Sequence, residues 1–482
     1  MASPAIEALK NAFPAEQVAL AGTDEFEKLN SSYLSSLEGE IVPSGIFLPR
    51  SADDVAKFVT TIKAHALDGS AQFAIRGAGQ QPLPGCANIQ GGLTVDLRHL
   101  TGTEVKDGFV SVGAGERWGK IYEAVQAKGL GVTGSRSGLG GVGGLALSGG
   151  LSLFSSREGF ICDNVVEFEV VLASGKIVTA SAAENPDLWR ALRGGGNNLG
   201  VVTRYDLRTF KQGPFWGGAV LYFPPSFPGQ VEALVRHLTR PDSAAQQDET
   251  HLMLSIGYSA AYMQLGGTLC MNQLYHTGTT GPAPAELEPF ASVSPQIEQL
   301  NSLRALTLTE AAGEQAQQSA DGVRCAYINT TVKADAATLV AAADAYVAAL
   351  EPLKECEGIT CSFTLQPYPV SLLEKSAGGN VLGLDPAGGP LVSILALTWW
   401  KNKEDDDKIV GTFRRVIEGI DQDAAARGTA VPFKYMNYAW GFQDPIASYG
   451  QENKVFLQKV SQTHDPEGLF QKGVPGGFKL FT

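Results

Sequence analysis

Apolar positions recur with two different periods along the chain. From Pro49 the spacing is helical: Val55, Phe58, Val59 and Ile62 fall on one face, Ser51 stands at the N-cap, and Asp53 and Asp54 suit the positive end of the helix. Residues 1–40 before it read as one or two short helices. Strand-like runs follow at Phe73–Arg76, 93–97 and Phe109–Gly113, and a helix over 118–128 stops at Gly129. Beyond a glycine-rich stretch, 165–172 and 176–180 flank Ser174-Gly175 as the arms of a hairpin do. Asn185-Pro186 opens a short helix to Leu192, and 201–210 reads as a strand.

At Pro214 the character changes. Long strand-like runs at 218–223, 251–258, 266–276, 323–332, 359–366 and Leu391–Trp400 alternate with helical runs at 228–238 and 334–350. This predicts a separate α+β domain on a sizeable antiparallel sheet. A helix over 405–427 follows, and the last stretch, from Pro432, carries Tyr435-Met-Asn-Tyr-Ala-Trp and a helix near 453–463. No internal repeat or low-complexity tract occurs.

Composition adds one departure: 56 of 482 residues are glycine, densest between Gly131 and Gly150. Clustered glycine in a globular chain means that backbone must approach something closely. The net charge of −13 excludes nucleic acid as an expected partner, and there is no polybasic segment for an anionic membrane. No run of about 20 apolar residues occurs, so no membrane span is expected. The N-terminus lacks a basic and then apolar leader and the C-terminus is no peroxisomal address, which predicts an intracellular, cytoplasmic protein. Six scattered cysteines without a Cys-x-x-Cys pair read as free thiols, and no His/Cys/carboxylate spacing predicts a metal.

Gly138-x-Gly140-x-x-Gly143 matches the dinucleotide fingerprint in letters, with Asp163 twenty residues on. That fingerprint needs a strand before it and a helix after it. The glycines that follow disfavour a helix here, so the Rossmann reading fails. Ala146-Leu-Ser148-Gly-Gly150 lacks the first glycine of a serine-hydrolase elbow, and no Walker A sequence occurs. The reading that remains is a cradle of glycine amides around a long anionic or amide-rich ligand. Further clusters at Arg76-Gly-Ala-Gly-Gln-Gln81, Val112-Gly-Ala-Gly115 and Gly194-Gly-Gly-Asn-Asn-Leu-Gly200 support it.

Together these clusters resemble the FAD-binding domain of the vanillyl-alcohol-oxidase and berberine-bridge-enzyme superfamily, in its fungal natural-product form. Pro49-x-Ser-x-x-Asp-Val is similar to the family's entry helix, and Arg76-Gly-Ala-Gly-Gln80 to its Arg-Ser-Gly-Gly-His loop. Gly141-Val-Gly-Gly-x-x-x-x-Gly-Gly150 resembles its central motif. Cys162-Asp-Asn-Val165, Asp187-Leu-Trp-x-Ala-Leu-Arg-Gly-Gly-Gly-x-Asn-x-Gly200 and Tyr435-x-Asn-Tyr438 resemble further signatures.

The resemblance implies a two-domain α+β flavoprotein. Its FAD-binding domain would comprise two α+β subdomains, from residues 1–212 with the returning segment 431–482. A substrate domain over 213–430 would carry a large antiparallel sheet flanked by helices. The resemblance further implies that Arg76, Gly77, Ala78, Gly79, Gln80 and Gln81 hold the pyrophosphate. Leu139, Gly140, Val142, Gly143, Gly144, Leu147 and Ser148 would line the flavin. Asp163, Asn164, Gly200 and Val202 would bound the adenosine end, and Tyr435 and Asn437 would touch the cofactor from the C-terminal side. Tyr438 matches the family's catalytic tyrosine, with His251 and His276 in reserve.

Two departures bear on the chemistry. The family often tethers FAD to a histidine where Gln80 stands and to a cysteine where Ser137 or a neighbour stands, so non-covalent FAD is expected. The implied activity is oxidation of a polyketide- or alkaloid-like small molecule, with hydride transfer to flavin N5 and molecular oxygen as acceptor. The alternative is a redox-neutral isomerisation or cyclisation on the flavin scaffold.

Overall fold

The computed structural model describes residues 4–240, 248–317 and 321–481; the readings made at Met1 and Thr482 lie outside them. Three sheets organise the described residues. The first orders Val18–Leu20, Gly45–Phe47, Leu93–Asp96 and Phe73–Arg76, the last three mutually parallel. The helix Ala52–Leu67 makes the crossover. Its Ser51 side chain accepts the Asp54 amide at 3.1 Å, and Val55, Phe58, Val59 and Ile62 are buried. The two short N-terminal strands have three residues each, too few for a period to show in sequence.

The second sheet is antiparallel. It orders Thr103–Val105, Phe109–Gly113, Val201–Lys211, Val165–Val171 and Ile177–Ser181, with Leu130–Val132 beside Val201–Lys211. Gly175, at φ 80°, closes the hairpin between Val165–Val171 and Ile177–Ser181. The two sheets share one core with the end of the chain, where Phe433, Tyr435, Tyr449, Leu457 and Phe470 pack.

The third sheet has eight antiparallel strands, in the order Arg304–Leu306, Phe215–Tyr222, Thr268–His276, Thr250–Ser259, Thr360–Tyr368, Leu391–Trp400, Arg324–Lys333 and Ala430–Val431. Strict alternation gives it two faces. Leu252, Leu254, Ile256, Phe363, Leu365 and Ile394 join a core with the helices Phe227–Thr239, Ala336–Ala349 and Asp406–Arg427. Among the described residues one helical stretch, Ala336–Leu353, is apolar and long enough to cross a membrane. In this fold its Leu339, Ala343 and Tyr346 are buried in that core. All six cysteines are unpaired.

One local expectation is corrected. Gly143–Leu147 forms a single helical turn despite its glycines. Tyr205 Oη donates to the Gly143 carbonyl at 3.1 Å and Asn437 Nδ2 to the Ser148 carbonyl at 2.9 Å, so tertiary bonds outweigh the propensity cost.

Candidate functional site

A cavity of about 1130 Å³ runs between the glycine loops and the second face of the eight-stranded sheet. It exceeds the ~300–1,000 Å³ of most small-molecule sites. One end is backbone. The strand Phe73–Arg76 ends in Gly77, Ala78, Gly79, Gln80 and Gln81, all lining the cavity. Gly140, Gly143, Gly144, Leu147 and Ser148 line it from the next loop, and Gly200 and Val202 from the strand that follows the third glycine cluster.

The two principal loops touch. A Cβ on Gly141 would lie 2.4 Å from that of Ala78. Gly79 sits at φ 67°, where an added Cβ would meet Tyr33 at 2.9 Å. Carbonyls of this end are held from outside the cavity. Arg117 donates to Leu139 O at 2.5 Å and to Ala78 O at 3.2 Å, and the Trp118 amide to Gly140 O at 3.0 Å. Among the described residues the amides of Ala78, Gly79, Gln80 and Gln81 find no acceptor, and neither do those of the first helical turn at Gly143 and Gly144.

Five expected cofactor residues do not line the cavity. The Arg76 guanidinium is buried beneath the loop. It stacks 3.6 Å from the Tyr33 ring centroid, donates to Leu29 O at 2.8 Å, and lies 3.4 Å from Asp96. It supports the loop from beneath and does not reach the cavity. Asp163 and Asn164 are clasps as well. Asp163 accepts from Asn380 at 2.7 Å and the Phe160 amide at 2.9 Å and faces Arg193 at 3.3 Å; burial pushes its carboxyl up against the pull of Arg193. Asn164 donates to Glu158 O and Phe160 O and accepts from Arg208. Val142 is fully buried, and Leu139 serves through its carbonyl.

The other end is built from side chains. Met253, Ser255, Gln273, Tyr275, Ser362, Thr364, Gln366, Leu395, Leu397 and Trp399 line it, alternate residues of four neighbouring strands. Tyr435, Asn437 and Tyr438 stand where the two ends meet. The Tyr438 hydroxyl accepts from Arg136 Nη2 and donates to Gln366 Oε1 at 3.2 Å; Arg136 Nη1 donates to the same Gln366 oxygen at 2.9 Å. Tyr435 and Tyr327 set their rings edge-on to Tyr438, at 4.8 and 5.9 Å.

Arg136 and Gln366 were not found from sequence. Arg136 sits in a Ser-Arg-Ser run with no periodic context, and Gln366 is 230 residues away. The reserve histidines leave the picture. His251 is half-buried beside Tyr275, with Arg136 near it, and its pKa is pushed down to about 3 chiefly by loss of solvent around the ring. His276 pairs with Glu286 at 3.2 Å, away from the lining.

The residues present fit a flavin dinucleotide. Free amides on two glycine-tight loops suit a pyrophosphate, since any side chain there would fill the cradle. The volume leaves room for a second molecule beside it.

A family model described as an FAD binding domain matches residues 43–181. The FAD-dependent monooxygenase tpcD of Cochliobolus heterostrophus is 37% identical over 88% of this chain and 82% of its own length. The FAD-dependent monooxygenase FUP4 of Fusarium proliferatum is 35% identical over 97% and 90%. Among solved structures, 6-hydroxy-D-nicotine oxidase from Arthrobacter nicotinovorans superposes with a TM-score of 0.77, 21% identity, and coverage of 94% of this chain and 96% of that one. Berberine bridge enzyme from Eschscholzia californica gives 0.75 at 16% identity, covering 97% of each chain. This chain has the fold of berberine bridge enzyme and 6-hydroxy-D-nicotine oxidase, is an FAD-dependent oxidoreductase, and belongs to the family of fungal FAD-dependent monooxygenases represented by tpcD and FUP4.

Proposed function

We propose that the protein oxidises a small natural-product intermediate of secondary metabolism, using FAD held without a covalent bond and Tyr438 as the base. The observation that carries this reading is the Tyr438 hydroxyl at the junction of cradle and sheet, held by Arg136 and Gln366. FAD, when bound, supplies the hydride acceptor at N5 of its isoalloxazine. Tyr438 would act as the phenolate: its own proton leaves first, the Arg136 guanidinium holds the charge on its oxygen, and the substrate's proton then takes the vacated place. Gln366 fixes the orientation of both groups. Residues 1–212 with 431–482 hold the cofactor in this reading, and 213–430 receive the substrate.

The cofactor contacts are backbone amides of residues 77–81 and the lining from Gly140 to Ser148, closed by Gly200, Val202, Tyr435 and Asn437. Gln80 supports non-covalent attachment. Its side chain is an amide, 3.4 Å from Asp321, and offers no nucleophile for a tether. The names of the fungal relatives, FAD-dependent monooxygenases, support molecular oxygen as co-substrate.

Anaerobic mixing with substrate tests the reaction. Bleaching of the yellow flavin, reversed by air, is expected; product without bleaching or oxygen uptake would replace oxidation by a redox-neutral rearrangement. Acid precipitation tests the attachment: a colourless pellet under a yellow supernatant is expected.

A further inference from the structure

The sheet end of the cavity carries a charge pattern that selects its occupant. Among the described lining residues, Arg136 is the only cation and Glu314 the only carboxylate. Glu314 is already paired with Arg304. Arg136 donates to Tyr438, to Gln366 and to Met253 Sδ, and no carboxylate is bonded to it among the described residues. The nearby hydroxyls are spoken for, Ser255 with Thr364 at 2.9 Å and Ser362 with Thr364 at 3.0 Å.

Tyr258, Tyr275 and Tyr327 also line the space.

We infer that the substrate is an aromatic acid (a phenol, enol or aryl carboxylate) whose ionisable oxygen faces Arg136. This rests on the proposed oxidation at Tyr438, and it sets aside the amine substrates that the family resemblance left open. An ammonium group here would meet a guanidinium and find no free carboxylate.

Matched probes test this on the FAD-loaded enzyme. Anthracene-2-carboxylate and 2-(aminomethyl)anthracene share a ring system and differ in charge. Binding is followed through perturbation of the flavin absorbance. The carboxylate is expected to bind about ten-fold tighter or more. Arg136→Gln should remove that preference and Arg136→Lys should retain most of it, with unfolding midpoint and flavin content checked for each. Equal or tighter binding of the amine, or a preference that survives Arg136→Gln, overturns the inference. Tyr438→Phe separates the two readings: the anion preference should persist in it while turnover fails. Full turnover with the anion preference intact would instead sink the base assignment alone.

Discussion

The two ends of the cavity are made of different material. At the glycine loops the wall is backbone, with amides that face the space because no side chain intervenes. At the eight-stranded sheet the wall is side chain, one residue in two along each strand. A backbone wall recognises whatever accepts hydrogen bonds from amides and changes little when sequence drifts. A side-chain wall is rewritten by single substitutions, because the register and the outer core with the helices persist whatever stands on the inner face. In the proposed reading the cofactor belongs to the fixed end and substrate choice to the variable one.

The sharpest separation comes from Tyr438→Phe. It removes one oxygen at the junction and no wall. Turnover should fall by about 10²–10⁴, while flavin content stays at the wild-type level, read from the ratio of flavin to protein absorbance. Loss of flavin in this variant would mean that the tyrosine holds the cofactor more than it moves a proton.

Asp163→Ala asks whether the fixed end includes that carboxylate. With Arg193 left buried and uncompensated, stability should drop by about 3 kcal/mol, read as a lower denaturation midpoint. Flavin affinity per folded molecule should stay unchanged, since Asp163 faces Arg193, Asn380 and the Phe160 amide and not the cavity.

Gly141→Val attacks the fixed end directly. The added Cβ lands 2.4 Å from Ala78 Cβ and must push the two loops apart. Flavin should bind about 10–100-fold more weakly, measured by titrating stripped protein. The anion preference of the sheet end should survive once flavin is supplied in excess.

This division also decides what could be read from the chain. Glycine clusters survive translation into structure, because a missing Cβ has the same meaning wherever the loop goes. Three of the four clusters line the cavity, while Val112-Gly-Ala-Gly115 owes its glycines to close packing against the Leu100 and Leu97 carbonyls. The side-chain wall was hidden because facing depends on register: Gln366 and Leu365 differ only in which side of one strand they take. Arg136 gains its meaning from Tyr438 and Gln366, residues 302 and 230 positions away. Arg76 was misread for the converse reason. An arginine before a glycine loop looks like a phosphate ligand, and only the placement of Tyr33 and Asp96 beneath it shows otherwise. The helix Leu308–Gln317, which supplies Glu314 to the rim and accepts the Gly138 amide at the Ala312 carbonyl, has a weak apolar face and escaped notice.

The smallest effect concerns His251, at the start of a strand that walls the substrate end. Its Nε2 is buried without a partner, and burial first, with Arg136 second, holds its pKa down to about 3. The folded protein therefore keeps this imidazole neutral, while the unfolded chain takes up a proton near the ordinary value of 6.5. Stability from this source is complete above that value and is lost as pH falls from there toward 3, because the unfolded state binds the extra proton. By pH 5 the loss amounts to about 1–2 kcal/mol. His237, held down to about 4 by burial, contributes with the same sign but cancels in a comparison of variants. His251→Gln should flatten the fall of the unfolding midpoint between pH 7 and 5 by about 2 °C. An unchanged slope would mean that acid opens the sheet end before the histidine is charged. In that case the side-chain wall would be the softer of the two in stability as well as in sequence.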